Sequence, residues 1–262
     1  MATAEVFSGD KGLDPSYVSG YLLSNETRIE KISKLISQHF SDNAGYVAWS
    51  GGKDSTCLAH IANTIIPNIP IVWFNSGLEF PDTKPYIEKI AKQYKFNLIT
   101  YNVSPSALEV LEATGSWDHD SVINPEVANL HKILIIMPSA QAHAAFGVGE
   151  LSGLRAEESA GRRVLLSKDN GAYNRLDGSK VYAPIWSWSG EQVDAYLSAN
   201  NIESNPVYKR LESVGAPRRA QRVGLTVDGN NPDFGRYTYL RLAYPDLWND
   251  LCSVLPRLKE WR

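Results

Sequence analysis

The sequence predicts an α/β protein built on an open, mostly parallel sheet with helices on both faces. Three observations carry that expectation. Apolar runs of four to seven residues alternate with helical periodicities from Tyr46 to Val103. Those runs are continuous rather than alternating with polar residues, as strands covered on both faces require. A glycine-rich hexapeptide, Ser50-Gly51-Gly52-Lys53-Asp54-Ser55, joins the first apolar run to the helical pattern that follows it.

Residues 1–24 read as an N-terminal extension, polar and rich in glycine and serine, with Tyr17, Tyr21, Leu22 and Leu23 as candidate anchors. From Asn25 the spacing of Ile29, Ile32, Leu35, Ile36, His39 and Phe40 marks one face of a helix. His39 on that face reads as a packing residue. Tyr46 to Trp49 is a short buried strand, and Thr56 to Ile65 a helix stopped by Pro67. Pro70 to Asn75 is the second strand. Asp82 to Lys95 is a helix with Tyr86, Ile87, Ile90, Ala91 and Tyr94 on one side, and Asn97 to Val103 is the third strand. The stretch from 104 to 145 is less regular, with Pro138 interrupting an apolar run from Ile133 to Met137. A helix end passes into a strand between Ala144 and Ser152, and a further strand covers Lys180 to Ile185. Ser189-Gly190-Glu191-Gln192 is a capping box that opens a helix through Leu197. A final helix spans Pro245 to Leu258. The expected division is an extension over 1–24, a nucleotide-binding α/β domain over 25–200, and a segment over 201–262 that completes or covers the site.

The composition is that of an ordinary globular chain: 262 residues, 43% hydrophobic, 21% charged, with a net charge of −3. No global field draws it to nucleic acid or to an acidic lipid surface. Two cysteines, Cys57 and Cys252, exclude a disulfide framework and a four-cysteine zinc or iron–sulfur site supplied by this chain alone. The start lacks the basic region and apolar core of a signal peptide. No apolar run approaches the roughly 20 residues that span a bilayer. A cytoplasmic protein without a membrane partner is expected.

The hexapeptide has the chemistry of a phosphate holder. Gly51 and Gly52 let the backbone approach closely and take positive φ. Successive N–H groups form a concavity at a helix N-terminus, which carries partial positive charge. Lys53 adds a full charge, and Ser50 and Ser55 add hydroxyls. The spacing is neither Gly-x-x-x-x-Gly-Lys-Ser/Thr nor Gly-x-Gly-x-x-Gly. It resembles the pyrophosphate-binding loop of the ATP pyrophosphatases.

Gly153-Leu154-Arg155-Ala156-Glu157-Glu158-Ser159 follows a predicted strand and is the second candidate site segment. Arg155 offers a planar fork suited to phosphate or sulfate, and Glu158 stands three residues on. Trp117-Asp118-His119-Asp120 reads as a solvated loop rather than a metal site. Pro217 to Arg222 contains three arginines. They suit either a nucleic-acid contact or, as the preferred reading, a tail folding over the nucleotide site or a solvated face.

Taken in order, these segments resemble the phosphoadenosine-phosphosulfate (PAPS) reductase family of the adenine-nucleotide α-hydrolase-like superfamily. Ser50 to Ser55 is similar to its phosphate loop. Asn75-Ser76-Gly77-Leu78-Glu79-Phe80-Pro81-Asp82-Thr83 resembles its Asp-Thr-Gly-x-x-Phe-Pro-Glu-Thr segment. Gly153 to Ser159 resembles Gly-x-Arg-x-x-Glu-Ser. Pro184-Ile185-Trp186-Ser187-Trp188 resembles Pro-Ile-x-x-Trp, and Asn205-Pro206-Val207-Tyr208 resembles His-Pro-Leu-Tyr. The likeness runs from about residue 28 to about residue 225.

The resemblance implies an adenine nucleotide as ligand, ATP or a relative, with Mg²⁺. Ser50, Gly51, Gly52, Lys53, Asp54 and Ser55 are expected at the phosphates, with Asp54 as the metal contact. Asn75, beside Trp73 and Phe74, is expected where the adenine lies. Gly153, Arg155 and Glu158 are expected at the α-phosphate or acceptor, with Lys53 and Arg155 catalytic and Glu158 orienting Arg155. The family's reductases attack sulfur with a cysteine in a Glu-Cys-Gly-Ile-His segment, and related members bind an iron–sulfur cluster. Here Cys252 sits in an apolar helix, Cys57 reads as packing, and no cluster is expected. The leading expectation is therefore an adenylyltransferase that cleaves ATP between α and β phosphates, with an unidentified acceptor and scope for a protein partner. The alternatives are a PAPS reductase-like enzyme and a nucleotide-binding component of a nucleic-acid modification system.

Overall fold

In a computed structural model of the protein, residues 15–113, 132–224 and 236–260 are described. The segment Trp117 to Asp120, read from the sequence as a solvated loop, lies outside those residues.

Strand β1 (Gly45–Ala48) stands in the middle of a six-stranded sheet. β2 (Pro70–Asn75) pairs with it in parallel on one side, and β3 (Asn97–Asn102) pairs in parallel beyond β2. On the other side β1 pairs in parallel with β4 (Gly149–Leu151), and β4 with β6 (Lys180–Tyr182). β5 (Ala172–Asn174) closes that edge antiparallel to β6, so the order is β3-β2-β1-β4-β6-β5. The chain leaves β1 toward β2 and later returns to β4 on the opposite side. This reversal is the switch point at which open α/β sheets leave a crevice beyond their strand ends. The fold class read from the sequence is the one observed.

The approach of β1 to β4 depends on glycine. A Cβ on Gly45 would lie 1.6 Å from the Gly149 carbonyl oxygen, a distance no side chain tolerates.

Helices cover both faces. On one face α1 (Pro15–Asp42), α2 (Lys53–Ile65), α3 (Thr83–Tyr94) and α7 (Gly190–Ala199) pack onto the sheet. Ile32 and Ile36, Leu58 and Ile61, Ile87 and Ile90, and Val193 and Leu197 meet there around Trp49 and Trp73. The first helix begins at Pro15, ten residues before the apolar periodicity at Asn25 becomes visible. On the other face α5 (Met137–Phe146), preceded by a π-turn over Lys132–Ile136, sets Ala142 against Tyr46 and Val72. Pro138 sits in the first turn of α5, where its missing N–H costs nothing. It follows directly on the change from the π-turn to the α-helix.

A second core joins α4 (Ala107–Ala113), α8 (Pro206–Ser213), α9 (Arg236–Ala243) and α10 (Pro245–Val254) to Leu78 and Phe80 after β2. A 3₁₀ turn over Pro256–Glu260 follows α10. α6 (Ala160–Ser167) stands between β4 and β5. Among the described residues no helix is long and apolar enough to cross a membrane.

Candidate functional site

Beyond the carboxyl end of β1 the chain enters the loop Ser50 to Gly52, and α2 begins at Lys53. Gly51 takes φ +73°, and a Cβ there would press within 3.1 Å of Ile87, so the turn belongs to glycine. The two serines organise the loop itself. Ser55 Oγ lies 3.0 Å from Ser50 Oγ and donates to the Gly52 carbonyl at 3.0 Å, and the Ser50 N–H donates to Ser55 Oγ.

The segment after residue 200 folds onto this loop. The Lys53 N–H donates to the Tyr208 hydroxyl at 3.1 Å. Asn205 Nδ2 donates to the Gly51 carbonyl at 3.3 Å, and its Oδ1 caps α8 through the Val207 N–H. Thr83 Oγ1 donates to the Val223 carbonyl at 3.2 Å. Both glycines are thereby buried. Burial pushes the Tyr208 hydroxyl well above the ordinary tyrosine range, so it stays protonated and neutral.

β4 exits beside the same helix end. A Cβ on Gly153 would lie 2.8 Å from Ser55 N and Cα, so glycine at 153 is what lets the strand exit touch the start of α2. Arg155 follows and is 6% exposed. Its Nε donates to Asp54 Oδ1 at 2.8 Å, and its Nη1 donates to Glu157 Oε2 at 2.5 Å and to the Trp188 carbonyl at 3.2 Å. Burial works against the guanidinium charge, yet Asp54 and Glu157 hold its pKa above the ordinary value. Burial pushes the Asp54 carboxyl upward, and Arg155 and Lys53 offset part of that.

Glu157 also accepts the Gly190 N–H at 2.6 Å, which ties the loop after β4 to the N-terminus of α7. Burial opposes its charge, but Arg155 and that N–H hold its carboxyl below the usual range. Glu158 acts on the backbone: its Oε2 accepts the Arg155 N–H at 3.0 Å and pairs with Arg162. Of the two glutamates, Glu157 thus joins Asp54 on the Arg155 side chain, and Glu158 fixes the Arg155 main chain.

Lys53 Nζ reaches α7, where it donates to both oxygens of Asp194, at 3.0 and 3.3 Å. Arg218, from a 3₁₀ turn over Arg218–Ala220, donates to the same carboxylate. The first arginine of the basic stretch therefore turns toward the loop. Asn75, at the end of β2, donates to Asn102 Oδ1 at 2.9 Å, and its own Oδ1 accepts the Gly77 N–H. Trp73 is 3% exposed within the main core, so of the three residues expected near the adenine it faces away from the crevice.

The two thiols lie elsewhere. Cys57 is fully buried in α2, and Cys252 is 5% exposed in α10 within the second core. Among the described residues no group of three or more His, Cys, Asp or Glu is placed to hold a metal ion.

The sequence profile of the phosphoadenosine phosphosulfate reductase domain matches residues 45–221, which is more than half of the chain and contains every hydrogen bond and ion pair of the site described above except that to Val223. The chain belongs to this family. An uncharacterized protein of Methanocaldococcus jannaschii is 27% identical over 92% of the chain, and the chain spans 56% of that relative's length. A phosphoadenosine 5′-phosphosulfate reductase of Buchnera aphidicola is 28% identical over 74% of the chain and 77% of its own.

Among solved structures, a PAPS reductase from Candida auris in a phosphate complex superposes with a TM-score of 0.52 at 18% identity, covering 83% of this chain and 98% of its own. An NH3-dependent NAD synthetase from Campylobacter jejuni superposes with a TM-score of 0.50 at 14% identity, covering 90% and 92%. These likenesses establish the fold. The family membership makes this a nucleotide-binding enzyme of the PAPS reductase family.

Sequence reasoning named Ser50 to Ser55, Asn75, Gly153, Arg155 and Glu158. The fold brings the loop, Gly153, Arg155 and Glu158 together around the start of α2, with Asn75 at the neighbouring strand end. It missed Asp194, Glu157 as a contact to Arg155, and the Tyr208 and Asn205 contacts to the loop. Tyr208 and Asn205 lay within a matched motif, but nothing local to residue 194 marks it.

Proposed function

We propose that the protein transfers the adenylyl group of ATP to an acceptor oxyanion and releases pyrophosphate. The observation that carries this reading is the contrast between the two kinds of chemistry the chain holds. Lys53 and the loop stand at the carboxyl end of β1, the ligand end of such a sheet. Both thiols are packed in apolar cores and out of reach, and burial pushes the Cys57 thiol well above its ordinary value.

In this reading the β and γ phosphates lie over Ser50 to Ser55 with Lys53 neutralising their charge. The acceptor oxygen attacks the α-phosphorus, the new O–P bond forms as the α–β bridging P–O bond breaks, and pyrophosphate departs with the electron pair. Catalysis is positioning and charge neutralisation. Arg155 fixes Asp54 and Glu157, and through Glu157 the start of α7, so that the loop and α7 keep one spacing. Asn75 and the Ser76–Gly77 turn are assigned to the adenine end.

A Mg²⁺ accompanying ATP fits the donors present: such ions take one or two carboxylates besides phosphate oxygens and water. Asp54, whose Oδ1 is taken by Arg155, has Oδ2 for that contact. The ion would supply further neutralisation of phosphate charge.

A second reading is favoured by the relatives. Several at 26–28% identity are phosphoadenosine 5′-phosphosulfate reductases. In that case the nucleophile is Cys252 after α10 unpacks, or a thiol of a protein partner.

The deciding experiment compares pyrophosphate release from ATP and Mg²⁺, across a panel of sulfate, phosphate-ester and carboxylate acceptors, with sulfite release from PAPS and thioredoxin. Pyrophosphate release that is lost in Lys53→Ala supports adenylyl transfer. Sulfite release that disappears in Cys252→Ser overturns it and establishes the reductase reading.

A further inference from the structure

Three charged side chains from distant parts of the chain converge on the first turn of α7. A Cβ built on Gly190 would lie 3.5 Å from Arg218 Nη2, 3.6 Å from Lys53 Nζ and 3.7 Å from Glu157 Oε2. Between the two cations stands the carboxylate of Asp194, which accepts from both. Lys53 is the phosphate-loop lysine, and its side chain is 16% exposed. Asp194 is 43% exposed and Arg218 64% exposed. The arrangement is therefore a half-buried lysine held by a carboxylate that can reach water by rotating.

We infer that Asp194 is an internal competitor for the phosphate-binding cations, and that Arg218 becomes a phosphate contact once that carboxylate swings out. The inference rests on the loop being a phosphate site, as proposed above.

Its physics is that of an anion exchange. In the free protein Lys53 and Arg218 share one carboxylate. A polyphosphate offers those same donors shorter, multiply charged hydrogen bonds. Asp194 loses little on release because it is already partly hydrated, and exposed ion pairs contribute modestly. Arg218, on an exposed 3₁₀ turn, then has a planar fork free to grip the phosphate. Asp194 left in place would repel the incoming anion, so binding and release of Asp194 are one event.

The test is calorimetric titration of inorganic pyrophosphate, and separately of ATP, into wild type, Asp194→Asn, Arg218→Ala and Lys53→Ala. Melting curves establish that each variant is folded, with Asp194→Ala as a second replacement should Asn perturb the turn. Asp194→Asn is expected to bind pyrophosphate about fivefold to tenfold more tightly, the scale of two partly exposed ion pairs. Arg218→Ala is expected to bind it several-fold more weakly. Wild-type binding lost in Lys53→Ala, together with an Asp194→Asn affinity equal to or below wild type, overturns the competitor role and leaves the phosphate site standing. Absence of binding to wild type and Asp194→Asn alike overturns both.

Discussion

Replacing Arg155 by alanine should unfold part of the site before it tests any chemistry. The guanidinium side chain is 7% exposed and makes three hydrogen bonds, to Asp54, Glu157 and the Trp188 carbonyl. The Glu157 carboxylate is 57% exposed and can return to water, so that arm contributes little. Asp54 is different. Its side chain is 20% exposed, and without Arg155 it is a largely buried carboxylate stripped of its closest cation. Removing one partner of a buried pair costs about 3–5 kcal/mol. The residual exposure of Asp54 places this case at the lower end, near 3 kcal/mol. For a chain of this size that corresponds to a fall in Tm of roughly 6–12 °C.

Urea denaturation of wild type, Arg155→Ala, Asp54→Asn and the double variant measures this directly. The double variant should recover much of the loss, because it leaves no unpaired charge in the buried part of the site. A loss below about 1 kcal/mol for Arg155→Ala, the scale of an exposed pair, would refute the view that Arg155 chiefly braces Asp54. Arg155 would then be available to hold a ligand directly.

Other outcomes follow from the same geometry. Gly45→Ala places a Cβ 1.6 Å from the Gly149 carbonyl oxygen and should prevent β1 from pairing with β4; a cooperative melt close to wild type would contradict this pairing. Gly153→Ala meets the backbone of Ser55 at 2.8 Å and should weaken pyrophosphate binding by displacing the loop, as titration of the folded variant would show. Cys252→Ser puts a hydroxyl into the second core and should cost about 1–3 kcal/mol, with ATP affinity unchanged; weakened nucleotide binding in the folded variant would tie α10 to the site. Burial holds His39 and His60 below the ordinary histidine value of 6.5, so the unfolded chain binds protons that the folded chain does not. Their contribution is fully present above pH 6.5 and is lost as pH falls toward the folded values. Stability in urea should therefore drop from pH 7.5 to pH 5.5, and a flat profile would show that the two rings protonate freely in the folded state.

The parts of this protein that were legible in the sequence are those encoded within a few residues. β2 matches its apolar run from Pro70 to Asn75 because Pro67 and the turn after Asn75 bound it on both sides. The capping box at Ser189 is observed with both its hydrogen bonds. β5 escaped notice because three residues paired at a sheet edge have no periodicity to display. α1 begins ahead of its visible periodicity because Ser16, Ser19, Gly20 and Ser24 mask the helical spacing of Tyr17, Val18, Tyr21 and Leu22.

The site divides along the same line. Two glycines and a lysine before a helix announce a phosphate loop, since the need for close backbone approach and positive charge is local. What each charge faces is a long-range matter. Lys53 meets a carboxylate 141 residues away, and its N–H meets a hydroxyl 155 residues away. From the sequence Arg155 is a fork aimed at a ligand, yet burial obliges a guanidinium to find carboxylates, and the fold supplies Asp54 and Glu157. Lys53 is the converse case. It is less deeply buried, and the carboxylate it faces is close to water and can leave. A cation held by a buried, multiply bonded partner is part of the frame, whereas one held by a solvated, rotatable partner is poised for exchange. On that criterion, which no spacing in the sequence reveals, Lys53 and Arg218 are the residues that wait for a phosphate, and Arg155 is the residue that keeps their surroundings in place.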